Sequence, residues 1–186
     1  MRRMFLPMIL GAALVAAGPP ADLTAKRKIA LIQEDRAPRG SVVVLRKDEL
    51  NAYVRSELRS VVRDGIRDTR LELGDNRATG YASIDFAKLE QARGQSPNWF
   101  VETFLSGEHP VRVDAQIRSG GGRAVVNVDR VEISGIVVSG RALDYLVRNF
   151  LWQYYPEAKV GKPFELAHRV DRLEVEPSQV NVWIGK

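Results

Sequence analysis

Between Val111 and Ser134 the chain reads VRVDAQIRSGGGRAVVNVDRVEIS, and this stretch constrains the fold more than any other. Val111, Val113, Ala115 and Ile117 alternate with Arg112, Asp114, Gln116 and Arg118, the period of two that belongs to a strand with one dry face. Gly120 to Gly122 supply turn chemistry, and Ala124, Val126 and Val128 resume the alternation, so the segment is a hairpin. Val131 and Ile133 fall on the opposite parity, which predicts a β-bulge near Asp129–Arg130.

Two more hairpins flank it in sequence. Leu71 and Leu73 alternate, Gly74-Asp75-Asn76 is a turn, and Ala78, Gly80, Ala82, Ile84 and Phe86 alternate after it;. The small residues on that inward face leave room for something large. The chain ends in a third hairpin, with Pro177-Ser178 at the turn and Val180, Val182 and Ile184 alternating. SVVVL (41–45) reads as a further strand.

Helical spacing appears twice. After Asp48, an N-cap candidate, Leu50, Tyr53, Val54, Leu58, Val61 and Val62 share one face of a helix running to about Asp64;. Gly65 stops it. Glu57 projects near that apolar face and is expected to snorkel at its edge or to meet a ligand headgroup. The second helix follows a strand ending at Val138, with Ser139 as N-cap, and spans about Gly140 to Tyr155 before Pro156;. Its face of Leu143, Leu146, Val147, Phe150, Leu151 and Tyr154 suits docking on a sheet. Tyr145, Trp152 and Tyr155 lie opposite, where a covering helix should be polar. That side therefore needs a second apolar contact: Trp99–Phe104 of the same domain, a lipid tail, or a membrane interface, where Trp, Tyr and Arg are favoured together. Pro97 marks a short helix containing Trp99, Phe100, Val101, Phe104 and Leu105. The segment 22–40 is a lead-in, either a short helix or a strand, closed by Pro38 and Gly40.

The N-terminus reads MRRMFLPMILGAALVAAGPPA: two arginines, an apolar run from Met4 to Ala17, then small residues. That is the order of a secretory signal peptide (1–21), and the run is short for a bilayer span. An uncleaved anchor is the alternative. Either predicts a periplasmic or secreted protein of the cell envelope, with a single domain over 41–186. The chain has no cysteine, which removes disulfides, Cys-based metal sites and thiol catalysis. The formal net charge is +5, too dispersed to argue for nucleic acid but compatible with anionic headgroups.

No catalytic constellation emerges. The two histidines, His109 and His168, lack helical pairing and no H-E-x-x-H occurs;. The glycine run leads into a strand rather than a helix, so it is a hairpin turn and not a phosphate cradle. No G-x-S-x-G is present;. Asp171, Glu174 and Glu176 fit the wet face of a strand. The protein is expected not to be an enzyme and to need no cofactor or metal.

VVLRKDELNAYVRSEL (43–58) aligns without gaps on IVVSGRALDYLVRNFL (136–151), matching Val44 with Val137, Leu50 with Leu143, Val54 with Val147, Arg55 with Arg148 and Leu58 with Leu151. The unit is a strand, a helix and a hairpin, used twice. Strands pairing locally and helices set apart give an α+β fold.

The DELNAYV helix, VEISGIVVSGRALDYLV and the terminal VDRLEVEPSQVNVWIG resemble bacterial envelope proteins of the LmeA and YpmS type, related to the tubular lipid-binding superfamily. The resemblance covers about Val42 to Ile184 in element order. It implies a curved antiparallel sheet packed on or wrapped around two long helices, a cavity or groove for acyl chains, and no catalytic residues. On this reading Leu50, Val54, Leu58, Leu143, Val147 and Leu151 lie near the cavity. Trp99, Phe100, Tyr145 and Trp152 lie at its mouth or in peripheral membrane contact, and Arg55 and Arg148 meet anionic headgroups. The partner is a lipid or apolar small molecule. The rival is a cystatin-like helix-plus-sheet module with a solid core that binds an envelope protein.

Overall fold

The computed structural model describes residues 20–61, 65–151, 160–166 and 168–186. The 1–19 segment, expected as a signal peptide or anchor, and residues 152–159, which include Trp152, Tyr154 and Tyr155, lie outside the described residues.

The lead-in is a helix, α1 (Ala21–Gln33), which begins directly after Pro20. β1 (Val42–Arg46) then runs without a linker into α2 (Lys47–Val61). Asp48 is thus in the first turn of α2 rather than at its cap. The orphan amide of Arg46 donates instead to Glu49 Oε2 at 3.0 Å, the reach-back half of a capping box. Next come β2 (Ile66–Gly74) and β3 (Arg77–Asp85), joined by a two-residue turn in which Asn76 has φ +52°. Phe86 does not continue β3. It opens α3 (Phe86–Ala92), because the Asp85 carboxylate accepts the Lys88 amide and caps a new helix;. α4 (Trp99–Phe104) follows, capped by Asn98 rather than started by Pro97; the Asn98 side chain accepts from the Phe100 and Val101 amides.

β4 (Glu108–Gly120) and β5 (Arg123–Ile133) form the long hairpin, turning through Gly121 and Gly122 at φ +58° and +74°. Both central residues carry positive φ, the requirement of a type I′ turn, which glycine meets without strain. Asp114 pairs with Arg130 and Ala115 with Val128. Asp129 is therefore the extra residue, and the bulge sits where the broken alternation places it. A second bulge in β2, where Asp68 has φ +51°, brings Ile66 and Leu71 to one face despite their opposite parity. β6 (Ile136–Val138) folds back on β5, and α5 (Gly140–Leu146) leads into a π-helical turn, Val147–Leu151. Ser139 occupies the N-cap position of α5, but its side chain makes no capping hydrogen bond. The second long helix expected over 140–155 is described only to Leu151, as these two pieces. β7 (Phe164–Glu165), β8 (Val170–Glu176) and β9 (Gln179–Ile184) complete the chain, β8 and β9 turning at Pro177-Ser178 as expected. His168 lies in the exposed turn before β8, at φ +57°, and not in a strand.

The fold is α+β, and every described strand pair is antiparallel. β2-β3-β4-β5-β6 form a meander with β7 added to β5, while β1-β9-β8 form a second, three-stranded sheet. The expected second strand-helix-hairpin unit is interrupted, with β7 between the helical pieces and the β8–β9 hairpin, and the leading strands pair differently: β1 with β9, β6 with β5. The two sheets meet where the hairpin tips of the large one cap the outer edge of β8. Asn76 N donates to Val175 O at 2.9 Å and Gly122 N to Asp171 O at 2.8 Å, and the Ser119 hydroxyl bonds both Leu173 N and O. Those bonds occupy an edge that would otherwise template foreign strands. The free edge of β2 is blocked likewise: the Asn51 side chain donates to Leu71 O at 2.9 Å and accepts from Leu71 N at 2.7 Å.

Burial divides into two clusters. Ile32, Leu45, Val170, Val182 and Ile184 close the small sheet against α1. Phe86, Val101, Leu105, Val131, Ile133 and Leu146 pack α3, α4 and α5 on the large sheet.

Candidate apolar binding site

The alternation of β2, β3 and β4 puts Ile66, Leu71, Gly80, Ala82, Ile84, Val111 and Val113 on one face of the large sheet, since Gly80 pairs with both Leu71 and Val113 and Ala82 with Val111. α2 lies along the β2 flank of that face, with Val54 and Leu58 turned toward the strands. Because Gly80 and Ala82 have almost no side chain, the helix does not fill the space in front of them. A trough of about 260 Å³ remains, walled by Val54 and Leu58, floored by the strand residues, and edged by Thr69, Arg70 and Tyr81. This is slightly below the roughly 300–1,000 Å³ typical of small-molecule sites. Its floor is continuous with the second cluster, because Ile84, Val111 and Val113 also pack against that core.

The opposite face of the same strands is polar, because Arg70 pairs with Tyr81 and Tyr81 with Arg112;. The Arg70 guanidinium stacks 4.3 Å from the Tyr81 ring centre and bonds Glu72 Oε1 at 2.7 Å. Arg112 approaches the same ring at 5.8 Å, so Tyr81 lies between two cations. The outer face of the sheet continues this network. Partial burial works to raise the Asp114 pKa, but hydrogen bonds from Thr79 and Arg112 outweigh it and hold the carboxyl below the usual carboxylate range;.

Of the residues expected near a cavity, Val54 and Leu58 line this trough. Leu50 packs instead against the small-sheet cluster. Leu143 and Val147 border a separate hollow of about 580 Å³ with Asp144, Arg148 and Val160. There Arg148 Nε donates to the Asp144 carbonyl at 3.2 Å. The side chain of Leu151 and the whole of Trp152 lie outside the described residues. Arg55 is exposed on α2 and does not line the trough. Arg70, at the end of the β2 bulge, pairs with Tyr81 and shares its face of the sheet, opposite to that of Leu71 and Gly80;.

Of the three aromatic residues on the side away from the leucine face, Tyr145 is the one among the described residues, and it finds its contact inside the domain. The Tyr145 ring meets Phe100 edge-on at 5.1 Å. Its hydroxyl bonds Asn98, and also Glu90 Oε1 at 3.4 Å. Glu90 is buried and accepts from the Asn98 amide at 3.1 Å, so α3, α4 and α5 are joined by one polar knot. Burial pushes the Tyr145 phenol up, the Asn98 bond opposes this, and the charge of Glu90 adds to it, which keeps the hydroxyl a donor. Phe100 is therefore part of this packing, while Trp99 projects outward, 71% exposed. Glu57, watched for its place near the apolar face, forms an ion pair with Lys26 at 3.2 Å at the α1–α2 edge.

His109 is structural: its ring bonds Ser134 Oγ at 2.9 Å and the Ser106 carbonyl at 3.1 Å. Among the described residues no group of three or more His, Cys, Asp or Glu is placed to hold a metal, and no helix is long and apolar enough to cross a membrane.

Comparison of the chain with protein-family models, with curated proteins and with solved structures returned no match. The resemblance to lipid-binding envelope proteins rests on the residue pattern alone.

Proposed function

We propose that this chain is a non-catalytic binding protein for a lipid or another long apolar ligand, exported to the periplasm or beyond, and acting in lipid binding or transport in the cell envelope. The observation that carries the reading is the trough between α2 and the large sheet, apolar on its walls and floor and kept open by Gly80 and Ala82. An apolar bed of this kind suits an acyl chain. The meander, with α2 laid along its β2 flank, supports an open groove rather than a closed tunnel. A module with a solid core, recruited by an envelope protein, would have no use for a glycine and an alanine side by side on the dry face.

Native mass spectrometry of the purified protein, followed by organic extraction, tests this directly. Copurifying lipid, or saturable uptake of a fluorescent fatty acid or phospholipid, is the expected result. A bare polypeptide mass together with no uptake of either probe rejects the proposal.

A further inference from the structure

One end of the large sheet differs from the other. At the far end the hairpin tips are bonded to β8. At the near end, where β2 starts, β3 stops, β4 starts and β5 stops, four large apolar side chains face outward: Trp99 at 71%, Phe104 at 57%, Ile136 at 71% and Val137 at 51% exposure. They come from two separate pieces, α4 and the edge strand β6 that follows the β5–β6 turn. His109 clamps those pieces together, donating from Nε2 to the Ser106 carbonyl beside α4 and accepting from the Ser134 hydroxyl in the turn;. Trp99 and Phe104 also meet edge-on at 5.8 Å. The four side chains are thus held outward by a built arrangement.

Two further features point to the same end. The trough floor begins there, because Ile84 pairs with His109 and Val111 with Ile133. The N-terminal apolar run also joins there. The pairing of Lys26 with Glu57, and of Lys28 with Glu49, shows that α1 runs back along α2. At 1.5 Å per residue its first turn is therefore level with the end of α2 that leads into β2. Met4–Ala17 is attached at that first turn.

We infer that this end is a bilayer-docking surface: Trp99, Phe104, Ile136 and Val137 enter the interfacial layer of a lipid membrane and hold the trough toward it. Trp and Phe together with branched aliphatics are the composition that partitions there, and large exposed apolar side chains gathered at one end of a fold mark an interaction site. The orientation relative to a ligand rests on the reading of the trough as a lipid site; the docking itself does not.

The absence of cysteine in the chain allows a background-free test on the full-length protein. Phe104→Cys and Ile136→Cys, with Asp75→Cys and Ser178→Cys at the far turns as controls, are each labelled with an environment-sensitive fluorophore. They are then mixed with phosphatidylcholine–phosphatidylglycerol vesicles. Blue-shifted, brighter emission at positions 104 and 136, quenched by bromine on the acyl chains, with no change at 75 and 178, is the expected result. Equal response at all four sites, or silence at 104 and 136 whether or not the protein sediments with the vesicles, overturns the inference; a protein partner for the patch gives the second outcome. Repeating the measurement in Gly80→Leu separates the two proposals, since filling the trough removes ligand uptake and leaves the labels at 104 and 136 responding.

Discussion

Gly80 is the residue on which stability and function separate most cleanly. It lies in the middle of β3, its φ is not positive, and a Cβ added there meets nothing within 4 Å. A side chain of about the volume of leucine at this position enters the trough of about 260 Å³ without displacing backbone. Three contributions set the size of the effect. Removing a glycine from a strand interior relieves a conformational cost of roughly 0.5–1 kcal/mol. Burying part of an aliphatic side chain adds some of the roughly 1.5–3 kcal/mol for full burial. Fixing the leucine rotamer takes back about 0.5–1 kcal/mol. Gly80→Leu is therefore expected to stabilise the fold by about 1–2 kcal/mol, a rise in Tm of about 3–6 °C for a chain of this size. Forcing a ligand into the filled space costs roughly 1–3 kcal/mol, or about five- to 140-fold in Kd. Thermal unfolding by circular dichroism and titration with a fluorescent fatty acid read both quantities on one sample. A raised Tm with unchanged uptake shows that the trough is not the binding site. A lowered Tm shows that the space in front of Gly80 is not open, and the reasoning fails at its first step.

Four other outcomes are expected. Gly65→Ala places a methyl group into the Leu89 side chain and within 3.3 Å of its backbone nitrogen, so urea denaturation should show a loss of roughly 1–3 kcal/mol with an unchanged m-value. Glu49 is buried, pairs with Lys28 at 2.7 Å and accepts the Arg46 amide, so Glu49→Ala should cost roughly 2–4 kcal/mol by the same measurement. Asn51→Ala removes both bonds to Leu71 and frees the β2 edge; a loss of roughly 1–3 kcal/mol, with concentration-dependent association in light scattering, is the expected signature. Asp114 has a folded-state pKa below its ordinary value of 3.8, so the unfolded chain binds its proton first. Its stabilisation is present above that ordinary value and lost as pH falls through the folded one, and Asp114→Asn should flatten the acid limb of a stability–pH profile.

The long hairpins and their bulge were legible because period-two alternation is local and the phase jump between Val128 and Val131 has only one structural meaning. The room in front of β3 was legible too, since Ala78, Gly80 and Ala82 announce a face with nothing on it. α3 was not legible, because seven residues are too few to show a helical period, whereas the six-residue α4 was expected from Pro97 and the apolar residues after it. Asp85 and Asn98, with their capping bonds, start the two helices. Ser139 looked equally good as a cap and makes no such bond, for cap preference describes a residue's capacity and not its geometry. The division into two sheets was not legible at all. Val42–Arg46 reads as a strand from its β-branched run, but nothing near it names β9 as its neighbour. The exposure of Ile136 and Val137 was hidden for the same reason, because alternation cannot tell a covered edge from a bare one.

The pairing of β1 with β9 joins residues near both ends of the domain, and the cluster containing Ile32, Leu45, Val182 and Ile184 exists only once they have met. Closing so large a loop is slow relative to zipping adjacent hairpins. The meander can therefore take shape while α1 and β1 wait, and the last six-residue strand acts as the latch of the assembly. The small sheet of such a chain stays unfinished, and its cluster unformed, until the β9 residues have reached β1.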